Sequence, residues 1–231
     1  MSIKAFSTND KDSISNITTT NGASESLTWK LPLTRPIHYT EVPGRSTSTY
    51  PTSEFIAMVQ GRHKRAIGSL FGIHNFGMNI TTIQPLEHAT LNAAAIDHDN
   101  SKAPSSSSIV HYHTKQDEMI YIISGTATLI LYDIDANTYE EIIMTVGDVM
   151  GFPAGRTIGH SVRNMSTMES LTILEMGDRT KYDTAIYPEP SIDLCAKQLS
   201  KNGDQNTDDN ESNHTHRENQ YHFFHKDGRP Y

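Results

Sequence analysis

His111-Tyr112-His113-Thr114-Lys115-Gln116-Asp117-Glu118-Met119-Ile120-Tyr121-Ile122-Ile123-Ser124-Gly125 carries a strand signal and a set of metal-type donors together. Met119 to Ile123 is a short apolar run rich in β-branched residues and closed by Ser124-Gly125, which predicts a strand. His111 and His113 are two apart. On a strand such residues face one side with Cα atoms about 6.5–7 Å apart, so both imidazoles can lean onto one ion while Tyr112 faces away. Glu118 follows the polar turn Thr114 to Asp117 and starts the next run. An adjacent antiparallel strand would bring its carboxylate alongside the His pair.

Further out the pattern stays β. Ala127, Leu129 and Leu131 alternate with Thr126, Thr128 and Ile130. Glu141 to Val146 stops at Gly147-Asp148, Leu171 to Met176 at Gly177-Asp178, and Met78 to Ile83 just before Pro85. Short strands spaced by Gly, Asp and Pro turns predict an all-β sandwich or barrel. Ser191 to Gln198 reads as one or two helical turns. Three polar tracts interrupt the pattern. Residues 1–28 read as a disordered N-terminal tail, 88–108 as a long loop inserted in the domain, and 200–219 as a flexible acidic and polar loop. The partition expected is one β-barrel domain over 29–199, with residues 220–231 returning to it.

The formal net charge of −8 argues against a nucleic-acid-binding surface. Arg62-His63-Lys64-Arg65 is the densest basic run and reads as a solvated loop or strand edge. A single cysteine, Cys195, excludes an internal disulfide and reads as a small buried residue in a reducing compartment. No run approaches the roughly 20 apolar residues of a membrane helix, and no leader is evident at the N-terminus. A soluble, cytoplasmic protein without membrane or nucleic-acid partners is expected.

Downstream, His160 follows the turn-forming Pro153-Ala154-Gly155 and precedes Ser161-Val162-Arg163-Asn164, another strand start. Three imidazoles and a carboxylate suit Zn, Mn, Fe, Co or Ni rather than Ca or Mg, and leave two positions open in a six-coordinate shell. In a chain with 12 histidines a His-x-His pair alone says little; the spacing of the whole set says more. His111-x-His113-x₄-Glu118-x₆-Gly125 resembles the first cupin motif, and Gly147-x₅-Pro153-x-Gly155 with His160-x₃-Asn164 resembles the second. Two departures stand out. Ser105 takes the place of the family's entry glycine, and four residues separate Gly155 from His160 where the general pattern has two.

The resemblance implies a jelly-roll barrel, one divalent transition metal, and His111, His113, Glu118 and His160 as its ligands. It extends over most of 60–199 and 221–231 to small single-domain cupins of bacterial type, through Phe152-Pro153-Ala154-Gly155, Tyr187-Pro188 and His225-Lys226-Asp227-Gly228-Arg229-Pro230-Tyr231. It also implies a homodimer. The fold hosts many reactions, so function divides between a metal-dependent oxygenase or isomerase acting on a small polar organic molecule and a non-catalytic metal-binding or ligand-binding module. No general acid or base stands out. Trp29 and Tyr187 read as packing on the barrel exterior, and His214, His216, His222 and His225 as solvated.

Overall fold

The computed structural model describes residues 36–46, 48–85, 105–198 and 221–231. The tracts 1–28 and 200–219, most of the 88–108 insertion, Trp29, His214 and His216 lie outside the described residues. In chain order come α1 (Ser53–Ala57), β1 (Arg62–Ala66), α2 (Ile67–Leu70), β2 (Phe76–Ile83), β3 (Ser105–Ser106), β4 (Tyr112–His113) and β5 (Glu118–Ser124). There follow β6 (Ala127–Asp133), β7 (Thr138–Met144), β8 (Val149–Phe152), β9 (Ile158–Asn164), β10 (Leu171–Asp178), β11 (Thr184–Ile186), β12 (Cys195–Gln198) and β13 (Tyr221–Phe224).

The strands form antiparallel sheets ordered β1-β2-β10-β5-β8, β13-β12-β11-β4 and β3-β9-β6-β7. An isolated antiparallel bridge between His111 and His160 links the second and third of these. This is the all-β fold that the strand spacing predicts, and the jelly roll that the resemblance implies. Gly125, at φ +83°, turns β5 into β6, a conformation that costs glycine little.

Three expectations change. Ser191 to Gln198 is not helical: Cys195–Gln198 is a strand held between β11 and β13, and two backbone ladders outweigh a weak local helical preference. Ser105–Ser106, at the end of the insertion, is a strand paired with Asn164 and Arg163. β10 runs through Gly177 to Asp178 instead of stopping there.

The position of the core decides the position of the site. Ile83, Ile120, Ile122, Leu129, Val162, Leu171 and Ile173 pack in one buried cluster. Each such side chain contributes roughly 1.5–3 kcal/mol by leaving water. Inward positions recur every second residue, and along three strands they change from polar to apolar within one step. Glu118 precedes Ile120, His160 precedes Val162, and Glu175 follows Ile173. One end of the barrel is therefore dry and the other lined with donors. A second apolar cluster joins Val59 and the partly buried Phe55 and Met58 to Ala185, Tyr187, Leu194 and Ala196. Cys195 is buried with a free thiol.

Candidate metal centre

The His pair sits at the start of β4. His111 lies just before it, held by its backbone bridge to His160, and His113 pairs with Ala185 of β11. Glu118 begins β5, but β5 pairs with β10 and β8 rather than with β4. The carboxylate therefore meets the imidazoles from a different sheet, not from the neighbouring strand that the sequence suggests. The turn after β8 fixes the entry to β9. Gly155 N–H donates to His113 O at 2.8 Å, and Ala154 N–H to the Asp117 carboxylate at 2.7 Å.

His111, His113 and Glu118 each place one ligand atom within 4.8 Å of the others. Nε2 of His111 lies 3.7 Å from Glu118 Oε2, and Nε2 of His113 lies 3.5 Å from Oε1. Nε2 of His160 comes to 3.0 Å from Oε2, and its ring stacks flat on Phe152 with centroids 3.6 Å apart.

The other ring nitrogens of His111 and His113 are occupied, whereas His160 Nδ1 is buried without a hydrogen-bond partner among the described residues. His111 Nδ1 lies 2.8 Å from the Ile109 carbonyl, and His113 Nδ1 contacts the Asp183 carboxylate. Each contact holds the proton on Nδ1 and leaves the Nε2 lone pair for an ion. Burial, and then the neighbouring His160, push the His111 pKa down to about 3, so this imidazole is neutral at ordinary pH. Burial would raise the Glu118 carboxyl, but His113 and the other two imidazoles hold it well below the usual carboxylate range. Its Oε2 is buried, with no hydrogen bond of ordinary geometry among the described residues and only imidazole nitrogens, His160 Nε2 at 3.0 Å, facing it. A buried, unpartnered carboxylate oxygen facing imidazole nitrogens is the donor set a divalent cation satisfies, so these residues fit the ion that the motifs imply.

Asp183 has no signal in the sequence. It is wholly buried and accepts from Lys115 N–H at 2.7 Å and from the Tyr221 hydroxyl at 2.8 Å. Burial acts to raise its pKa, but the contact with His113 outweighs it and leaves the group at about 2. Tyr221 comes from β13, so the C-terminal segment completes the wall behind His113.

Tyr187 is a correction. It is not on the exterior but 5% exposed, with its ring stacked against His111 at 5.7 Å.

A cavity of about 330 Å³ opens on the cluster, lined by His111, His113, Glu118 and His160 but not by Tyr112. Arg62, Lys64 and Ala66 line it too, whereas His63 and Arg65 do not. The basic run is thus the edge strand β1 with alternate residues turned inward, instead of a solvated face. Lys64 Nζ meets Glu175 Oε2 at 2.7 Å, and Thr81 Oγ1 donates to the same oxygen at 2.8 Å. Glu175 was legible in principle, as the one acidic residue at an inward position of an otherwise apolar strand.

Residues 102–176 match the family model for the cupin domain. Over that stretch the chain is similar to the cupin domain. No curated protein matches it by sequence. Among solved structures, a sugar phosphate isomerase of the cupin superfamily from Silicibacter pomeroyi is 26% identical, covers 85% of this chain and 96% of its own, and superposes with a TM-score of 0.61. The polyketide cyclase RemF of Streptomyces resistomycificus is 15% identical over 64% of this chain and 81% of its own, with a TM-score of 0.42. The oxalate decarboxylase of Lactobacillus farciminis is 19% identical over 63% of this chain and 34% of its own, with a TM-score of 0.40. Among the described residues, no helix of this chain is long and apolar enough to cross a membrane.

Proposed function

We propose that this cupin is a divalent-metal-dependent isomerase that moves a proton between adjacent carbons of a small hydroxycarbonyl compound. His111, His113, Glu118 and His160 hold the ion, which when bound polarises a substrate oxygen as a Lewis acid. The observation that carries the reading is Glu175, a carboxylate in the wall of the same cavity. Gly177 is the cross-strand partner of Glu118, and Glu175 is the partner of Ile120. Glu175 is therefore the inward diagonal neighbour of Glu118, a relationship that puts Cα atoms about 7–8 Å apart.

This placement suits a general base beside the ion. Glu175 takes the proton from the carbon that bears the hydroxyl, and the C–H electron pair flows towards the neighbouring carbonyl. The carboxyl returns that proton to the former carbonyl carbon, and the hydroxyl proton passes to the former carbonyl oxygen. Nothing is oxidised or reduced overall. Lys64 and Thr81 both engage Oε2, which steadies the carboxylate while Oε1 carries neither contact.

An oxygenase needs the ion and its open positions but no such base, which is why isomerisation is favoured. The Silicibacter pomeroyi protein, described as a sugar phosphate isomerase, supports the same class. The test is a panel of aldoses, ketoses and their phosphates in D₂O with Mn, Zn, Ni, Co or Fe(II) added. Deuterium should appear at the carbon next to the carbonyl. Absence of exchange across the panel, with oxygen consumption under Fe(II), would replace this reading by the oxygenase.

A further inference from the structure

The cavity that reaches the metal cluster also contains a cation that has no carboxylate partner among the described residues. Arg62 faces inward from β1 and lines the cavity. Its Nη1 donates to the Ser107 carbonyl, and Nη2 lies 3.4 Å from Ser48 Oγ. Its guanidinium carbon stands 5.9 Å above the Tyr50 ring. Among the described residues no carboxylate pairs with it, whereas Lys64, two positions along the same strand, is neutralised by Glu175 at 2.7 Å. A guanidinium has five N–H donors in a planar fork, so contacts to one carbonyl and one distant hydroxyl leave donors and the full charge for a ligand.

We infer that Arg62 is the anchor of an anion subsite, which takes the terminal phosphate or carboxylate of the molecule whose other end lies at the metal cluster. Three ring contacts separate the two poles. His111 stacks on Tyr187, Tyr187 meets Tyr50 edge-on at 6.0 Å, and Tyr50 lies beneath Arg62. A ligand that touches both poles is therefore a chain of several atoms with an anionic end. Planar, forked recognition of carboxylate or phosphate is the chemistry for which arginine is preferred to lysine. The inference deepens the isomerase reading by naming the substrate class, but its test does not depend on turnover.

The probes are inorganic phosphate and acetate, titrated calorimetrically into the full-length protein, into Arg62→Gln and Arg62→Lys, and into the double variant His111→Ala/His113→Ala. Wild type and the double His variant should bind phosphate alike. Arg62→Gln should bind it at least tenfold more weakly. Arg62→Lys, which keeps the charge but loses the fork, should fall between them and also controls for folding. Acetate binding as well as phosphate marks a carboxylate substrate, and phosphate alone marks a phosphorylated one. Three results overturn the subsite: no binding by wild type, undiminished binding by Arg62→Gln, or binding lost only in the double His variant. If phosphate binds through Arg62 yet no compound of the isomerase panel exchanges deuterium, the subsite stands and the isomerase reading falls.

Discussion

His111 and His160 hydrogen-bond to each other through their backbones in both directions, at 3.1 and 2.8 Å. Residues paired this way in an antiparallel ladder project side chains to the same face, and the two rings lie 4.9 Å apart. The two segments that resemble the cupin motifs are thus joined at two of the residues proposed to hold the ion. Whatever displaces one ring disturbs the other.

Metal content should follow this geometry. His111→Ala and His113→Ala should each lower the metal-to-protein ratio measured by elemental analysis, by more than the 10–100-fold in affinity typical of outer-shell changes. His160→Ala should do the same, and Glu118→Gln should weaken the site while keeping the fold. Tyr112→Phe should leave the ratio unchanged. The depleted variants should melt earlier, since a bound ion stabilises by mass action. Stoichiometry near one in all the His variants would place the ion elsewhere.

Gly177→Ala tests the space beside Glu118. An added Cβ would stand 3.1 Å from Asp117 O and 3.4 Å from Glu118 Cγ, tight enough to push the carboxylate. Metal affinity should fall severalfold, with a stability loss of about 1 kcal/mol, in the range of a single crowded core substitution. A variant that binds metal as wild type does would show that Glu118 has slack.

Asp183→Asn should narrow the pH range of stability. The folded carboxyl titrates at about 2, below its ordinary value near 3.9. The stability it contributes is therefore present above pH 4 and is lost as the pH falls through 4 towards 2. Linkage puts this at about 2 kcal/mol at neutral pH. Thermal melts of wild type and variant should differ at pH 7 and converge by pH 2–3. A constant gap across that window would mean that the charge of Asp183 does not matter.

Glu175→Gln separates chemistry from metal binding. The variant should retain its ion while deuterium exchange slows by roughly 10²–10⁴-fold, the usual contribution of a positioned base. Because Lys64 loses its partner, a small drop in melting temperature should accompany the change. Replacing Lys64 with Met in the same variant should recover part of that drop, since it removes the unpaired charge.

The sequence by itself determined the strands, their turns and the donors. Strand alternation and turn chemistry are local, so Met119 to Ile123 and Ala127 to Leu131 could be read directly from neighbouring residues, whereas the set His111, His113, Glu118 and His160 came from the resemblance to the cupin motifs. Pairing is not local, and only the tertiary structure decided it. Glu118 meets the imidazoles across two sheets because β5 joins β10 and β8, and nothing within β5 encodes that choice. Asp183 and Tyr221 stand 70 and 108 positions from His113, in short segments without a motif. Arg62 and Lys64 read as solvent-facing charge because composition cannot tell the two faces of an edge strand apart. Their inward turn follows from the register of β1 on β2, which sets Arg62 opposite Ile83 and Lys64 opposite Thr81.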